Sequence, residues 1–248
     1  MTVEPQKLAI VSGTSSGIGA GLAQALLESD WQVIGLARRD VEFDSPNYAH
    51  IKSDLADMTT LDTVLLPALI HHLNQTKCGR VALVNNAAAI GSLKGLDEIS
   101  TAELSKVYMV NVVAAGVLMG LVAKHVPFDS WLKIINVSSG AAHRGLPGLA
   151  DYAGSKAALR LTGMTLAAEF EQIKRSRASI LSYEPGIVDT EMQTKARAPS
   201  EGFPSLDMFQ GFHSSGSLQP VEAVIGEMVD FLADSESPAF SEKRFSPS

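Results

Sequence analysis

The stretch Lys7-Leu8-Ala9-Ile10-Val11-Ser12-Gly13-Thr14-Ser15-Ser16-Gly17-Ile18-Gly19 decides the fold. Its apolar head has the length of one buried strand, and the glycines at 13, 17 and 19 predict a tight turn that opens into a helix near Ile18. A strand–turn–helix junction of this kind aims backbone N–H groups and the positive end of a helix at one spot, which is what a pyrophosphate requires. Thr14, Ser15 and Ser16 add hydroxyl donors to the same turn. The spacing G-x-x-x-G-x-G differs from the commoner G-x-G-x-x-G dinucleotide fingerprint and lacks the GK[ST] ending of an ATP-binding loop.

Outward from that junction, short apolar runs alternate with longer amphipathic ones, the pattern of repeated βαβ units around a parallel sheet. Strands are predicted near 7–12, 32–36, 48–52, 80–85, 131–137 and 178–184, and helices near 18–29, 59–73, 101–125, 152–173 and 220–233. No repeat or low-complexity linker interrupts 7–233, so residues 1–248 read as one α/β domain, of a size at which such folds are routinely single. The composition, 46% hydrophobic and 19% charged, is that of an ordinary globule. A net charge of −7 argues against nucleic acid or an anionic membrane as partner. The apolar run Met109–Ala123, broken only by Asn111, has fifteen residues where a membrane span needs ~20, and it reads as a helix buried on more than one side. Cys78 is alone and can form no internal disulfide, and residues 1–10 lack the basic and apolar regions of a signal peptide, so a cytoplasmic location is expected.

Further along, Tyr152-Ala153-Gly154-Ser155-Lys156 sets a phenol and an ammonium four residues apart on one side of a predicted helix. A free tyrosine titrates near ~10, so releasing its proton at neutral pH means lowering its pKa by ~3 units, or ~4 kcal/mol, part of which a cation one turn away supplies. Taken together these stretches resemble the short-chain dehydrogenase/reductase family, whose pattern is T-G-x-x-x-G-x-G, N-N-A-G, an Asn, a Ser and Y-x-x-x-K. Ser12 to Gly19 match the first with Ser for Thr, and Asn85-Asn86-Ala87-Ala88 matches the second with Ala for Gly. Asn111 follows Met109-Val110, Ser139 closes Ile135-Asn136-Val137-Ser138 thirteen residues before Tyr152, and Pro185-Gly186-Ile187-Val188-Asp189-Thr190 resembles the P-G-x-V-x-T segment that closes over the nicotinamide.

The resemblance implies a Rossmann-like, doubly wound parallel sheet flanked by helices, with a last strand near 239–245, and a homodimer or homotetramer packed partly through 109–123. It also implies a tetrad. Tyr152 donates a proton to a carbonyl oxygen, Ser139 hydrogen-bonds that oxygen, Lys156 grips the nicotinamide ribose and depresses the tyrosine pKa, and Asn111 positions a water that feeds protons to Lys156. Gly13 to Gly19, Asn86, Ala87, Pro185, Gly186, Val188 and Thr190 then line the cofactor, and Asp54 with Leu55 sits where the adenine contact is expected.

Cofactor choice turns on Ala37-Arg38-Arg39 after the second strand, eighteen residues past Gly19. An NAD-preferring member usually carries an acid at the position of Ala37. Without one, Arg38 offers a planar, permanently charged fork to a 2′-phosphate, with Arg39 as helper, so NADP(H) is expected. The stretch 193–219, with Phe203, Phe209 and Phe212 among Gly, Pro and Ser, reads as a mobile apolar lid. Ser138-Ser139-Gly140-Ala141-Ala142 and Val188-Asp189-Thr190-Glu191-Met192-Gln193 resemble the sepiapterin reductase and benzil reductase subgroup, which implies a small-molecule carbonyl substrate such as a vicinal diketone, an aryl ketone or a pterin carbonyl. Oxidation of an alcohol in the reverse direction, or a non-catalytic NADPH-binding regulator, are the alternatives. His143 and Arg144 fall where the substrate mouth is expected, and Glu184 has no assigned partner. His71-His72 cannot chelate one metal from one helix face, so no metal site is expected. Lys174-Arg175 and Arg177 read as a solvated helix end.

Overall fold

The computed structural model describes residues 6–75, 78–198 and 202–246. Seven parallel strands form one sheet in the order β3-β2-β1-β4-β5-β6-β7. They are β1 (Gln6–Ser12), β2 (Gln32–Ala37), β3 (Tyr48–Lys52), β4 (Cys78–Asn85), β5 (Trp131–Val137), β6 (Ala178–Glu184) and β7 (Phe240–Arg244). The helices are α1 (Gly17–Glu28), α2 (Met58–Thr60), α3 (Leu66–Gln75), α4 (Thr101–Tyr108), α5 (Ala115–His125), α6 (Ala150–Gln172), α7 (Glu191–Ala196), α8 (Leu206–Ser214) and α9 (Val221–Ala233).

The β1 run is apolar throughout because both faces of the sheet are covered. Leu8 and Ile10 enter one layer with Leu69, Leu118, Met119, Leu159 and Phe170 of α3, α5 and α6. Ala9 and Val11 enter the other with Leu22, Leu26, Val224, Met228 and Leu232 of α1 and α9. Each fully buried leucine contributes ~1.5–3 kcal/mol, so the two layers fix the side from which each strand is read. Strand order reverses between β1 and β4, and a doubly wound sheet opens a crevice there at the carboxyl ends of its strands. The functional residues leave from those ends.

Helical runs 58–75 and 101–125 each carry a π turn, at Leu61–Leu65 and Met109–Ala114. The run Thr101–His125 is long and apolar enough to cross a membrane, with a mean hydropathy of 1.8, but here it lies on the sheet through Leu118, Met119 and Val122. The expectation for 174–177 is corrected at Arg175. It is 3% exposed and its guanidinium donates to the carbonyls of Ala123 at 2.6 Å and Val126 at 2.7 Å. The last carbonyls of α5 have no helical donor, and a five-donor side chain supplies two of them.

Candidate active site

The turn after β1 is built for close approach. Gly13 has φ +80°, and a Cβ there would come 2.7 Å from Nδ2 of Asn86, while one at Gly19 would strike the Gly13 carbonyl. Asn86 Nδ2 donates to the Ser12 carbonyl at 2.9 Å. The Ser12 hydroxyl accepts from the backbone N–H groups of Asn86 and Ala87, both at 3.0 Å, and so ties the turn to the loop after β4. Sequence reading found Ser12 only as a replacement for Thr; the tie needs the β1–β4 pairing to be seen.

This cradle fits a dinucleotide. Ser16 makes no side-chain cap to α1 and the first turn of that helix holds no acid, which leaves its N–H groups to an anion. One expected contact is corrected. Thr14 is 1% exposed and its hydroxyl lies 3.2 Å from that of Tyr48, so it is spent inside the fold, leaving Ser15 and Ser16 at the surface of the turn. Ile18, Leu55 and Val188 pack into the hydrophobic layers and offer only backbone groups. Asp54 accepts from the N–H of Ala56 at 3.0 Å in a local turn after β3. Gly186, at φ +75°, follows Pro185 at the end of β6, and Thr190 closes on the turn with Cγ2 3.1 Å from where a Gly17 Cβ would stand.

The two arginines behave differently from the expectation. Ala37 is buried at the end of β2, and Arg38 and Arg39 are both exposed beyond it. Among the described residues Arg38 makes no side-chain hydrogen bond or ion pair. Arg39, assigned the helper role, turns onto the glycine turn: Nη2 lies 3.2 Å from the Ser15 hydroxyl and 3.3 Å from Oε1 of Glu191.

Ser139 leaves the end of β5 and caps the short 3-10 turn Gly140–His143, accepting from Ala141 N–H at 3.2 Å. Its hydroxyl interacts with the Tyr152 phenol and favours the phenolate. Lys156, one turn along α6, is 2% exposed, places Nζ 5.7 Å from the Tyr152 ring centroid and donates to the Val137 carbonyl at 2.7 Å. Burial pushes the lysine pKa down to about 8. Burial also raises the phenol above its ordinary value, with the Ser139 hydrogen bond pulling partly back.

Asn111 lies inside the π turn and is 1% exposed. Its Oδ1 accepts from Ala89 N–H at 2.8 Å, and Nδ2 donates to the Ala89 carbonyl and the Ser155 hydroxyl, both at 2.9 Å. Ser155 in turn donates to the Tyr152 carbonyl at 2.7 Å. Both amide hydrogens are spent, so the side chain binds the loop after β4 to α6. Ser155 is a positioning residue that the Y-x-x-x-K pattern leaves unmarked.

Glu184 acquires its partner in the structure, with His143 Nε2 at 2.6 Å from Oε1. Beside them Asp151, 1% exposed, accepts from Ser92 N–H at 3.1 Å and anchors the loop after β4 to α6. The expected lid includes α8 and most of α7, while residues 199–201 lie outside the described residues. It is folded down: Phe203, Phe209 and Phe212 share one apolar cluster with Leu149, Leu93 and Tyr152, the ring centroids 5.6 Å apart in a tilted pair and 5.9 Å apart edge to face. The Ser205 hydroxyl latches it to the Pro147 carbonyl at 2.7 Å.

A glycine turn open to an anion, together with a serine–tyrosine–lysine group, suits an oxidoreductase, and the chain belongs to the short chain dehydrogenase family, whose profile matches residues 7–201. It is 28% identical over 228 residues to a benzil reductase ((S)-benzoin forming) of Bacillus subtilis, covering 91% of this chain and 93% of that one. It is 31% identical over 249 residues to a diacetyl reductase [(S)-acetoin forming] of Staphylococcus aureus, covering 93% and 92%. A short chain dehydrogenase/reductase from Saccharomyces cerevisiae shares the fold at TM-score 0.80 and 23% identity over 95% of both chains. So do 4-hydroxyisoleucine dehydrogenase complexed with NADH, at 0.79 and 21% over 96% of both chains, and ElxO with NADP bound, at 0.77 and 22% over 97% and 96%.

Proposed function

We propose that the protein is an NADPH-dependent carbonyl reductase that acts on one carbonyl of a vicinal diketone or a related aryl ketone or pterin carbonyl. The observation that carries the reading is the placement of Ser139 against the Tyr152 phenol, with the Tyr152 ring packed in one apolar cluster with Phe203, Phe209 and Phe212, a single oxygen site set against a surface suited to aryl groups. The relatives that reduce benzil and diacetyl support the diketone. The bound nicotinamide supplies the hydride.

The chain's own residues supply the rest. Gly13, Ser15, Ser16, Gly17 and the backbone of Ile18 and Gly19 receive the pyrophosphate, and Arg38 and Arg39 the 2′-phosphate. Asp54 and Leu55 border the adenine, and Asn86, Ala87, Pro185, Gly186, Val188 and Thr190 the nicotinamide half. Tyr152 hands its phenolic proton to the carbonyl oxygen while Ser139 hydrogen-bonds that oxygen. Lys156, tied to Val137, holds its charge beneath the phenol.

The same reading includes a homodimer or homotetramer. Leu161 is 60% exposed beside Gly116, Met119 and Gly120, an apolar face that a second copy would cover. The free, buried Cys78 and the acidic surface suit the cytoplasm. The test is reduction of benzil with NADPH, followed by chiral chromatography. One enantiomer of the hydroxyketone is expected; turnover of simple sugars or short aliphatic alcohols with none of dicarbonyls would contradict the substrate class.

A further inference from the structure

Around the end of β2 the charges are almost all spoken for. Lys52 Nζ lies 2.7 Å from Asp40 Oδ2, and Arg197 Nη1 lies 3.4 Å from Asp189 Oδ1. Arg39 Nη2 reaches both Glu191 oxygens, at 3.3 and 3.5 Å, while also touching the Ser15 carbonyl at 3.4 Å and hydroxyl at 3.2 Å. Glu191 comes from a distant part of the chain. It is carried there by the first residues of α7, where Thr190 packs on Gly17, so the carboxylate overhangs the turn that would hold the cofactor.

We propose that Glu191 sets the cofactor preference by occupying Arg39 where a ribose 2′-phosphate would otherwise bind. This rests on the reading of Arg38 and Arg39 as the 2′-phosphate site. A phosphate entering beside Ser15 must either draw Arg39 off Glu191 or sit against a carboxylate, and both weaken its binding. A dinucleotide without the 2′-phosphate meets neither obstacle. Arg38, which has no partner among the described residues, is then the cation that greets the phosphate, and Glu191 is the brake on how far NADPH is preferred.

The pair is exposed, 58% on each side, so its effect is a tuning of a few fold and not a switch. Dissociation constants for NADPH and NADH are measured by fluorescence titration on the whole protein, Glu191→Gln, Arg39→Leu and the double variant. Glu191→Gln is expected to tighten NADPH about 2- to 5-fold and leave NADH unchanged. In the Arg39→Leu background the same change should lose most of its effect, because the two residues then no longer couple. An unchanged NADPH-to-NADH ratio in Glu191→Gln, or weaker NADPH binding, would overturn the proposal. The reading beneath it fails separately: if the unmodified protein prefers NADH, the NADPH assignment falls, while a gain of NADPH affinity in Glu191→Gln would still identify Glu191 as the brake.

Discussion

Replacing Lys133 with Met should make the protein more stable. Lys133 sits mid-strand in β5 with no exposed surface, and its ammonium finds no hydrogen-bond acceptor. Its contacts are the rings of Phe231 at 4.7 Å and Trp131 at 5.5 Å, with Asp234 attracting it and Arg80 repelling it at longer range. Burial pushes its pKa from the ordinary 10.5 to about 8, a cost to the charged form of ~3 kcal/mol at pH 7. Cation–π attraction to the two rings returns ~1–2 kcal/mol, leaving a net cost of ~1–2 kcal/mol, which an apolar side chain of similar length avoids. For a chain of this size that corresponds to a rise in Tm of ~2–8 °C. The sign against pH is also fixed. The folded pKa lies below the unfolded one, so the folded state sheds the proton first, and stability should climb as pH rises from about 8 to 10.5. Scanning calorimetry at pH 7 and pH 10 on both proteins reads this out, with the gap between them narrowing at the higher pH. A Lys133→Met protein that melts below the unmodified one at pH 7 would refute the reasoning, since the ring and Asp234 contacts would then outweigh burial.

Other outcomes follow from the site. Gly91→Ala should cost at least ~1–3 kcal/mol and lower kcat/KM, because φ is +90° there and the new methyl would fall within the Asp151 carboxylate; Asp151→Ala should relieve part of the clash, and additive losses in denaturant titrations would show that the two do not touch. Reductive kcat/KM should fall as pH rises through about 8, where Lys156 loses its charge, and a pH–rate profile flat to pH 10 would mean that the charge is not needed. Benzil should yield a single hydroxyketone enantiomer, as above.

Most of the scaffold was legible because its signals are local. The runs at 32–36, 48–52 and 178–184 predict β2, β3 and β6 within a residue, and Gly13, Gly17 and Gly19 announce their turn. What the sequence hid depends on contacts between distant residues. Thr14 reads as a cofactor donor until Tyr48 is seen crossing β2 at Gly35 to take its hydroxyl. Arg175 looks solvated until the end of α5 arrives with carbonyls to satisfy. Arg39 and Glu191 are 152 residues apart, and no periodicity relates them. Lys133 interrupts an apolar strand, a visible anomaly, yet only the fold shows that no acceptor among the described residues hydrogen-bonds its ammonium. The π turn at Asn111 was likewise hidden, since Met109–Ala114 has ordinary helical composition.

The central claim is that Tyr152 is the proton donor of a carbonyl reductase, and Tyr152→Phe tests it most directly. The variant keeps the ring beside Lys156 and removes only the oxygen that Ser139 contacts. Single-turnover hydride transfer to benzil and NADPH titration on the same preparations should show the rate falling ~100- to 10,000-fold while cofactor affinity stays within a few fold. Near-normal turnover by Tyr152→Phe would contradict the account, whatever the fate of its fold and its cofactor site.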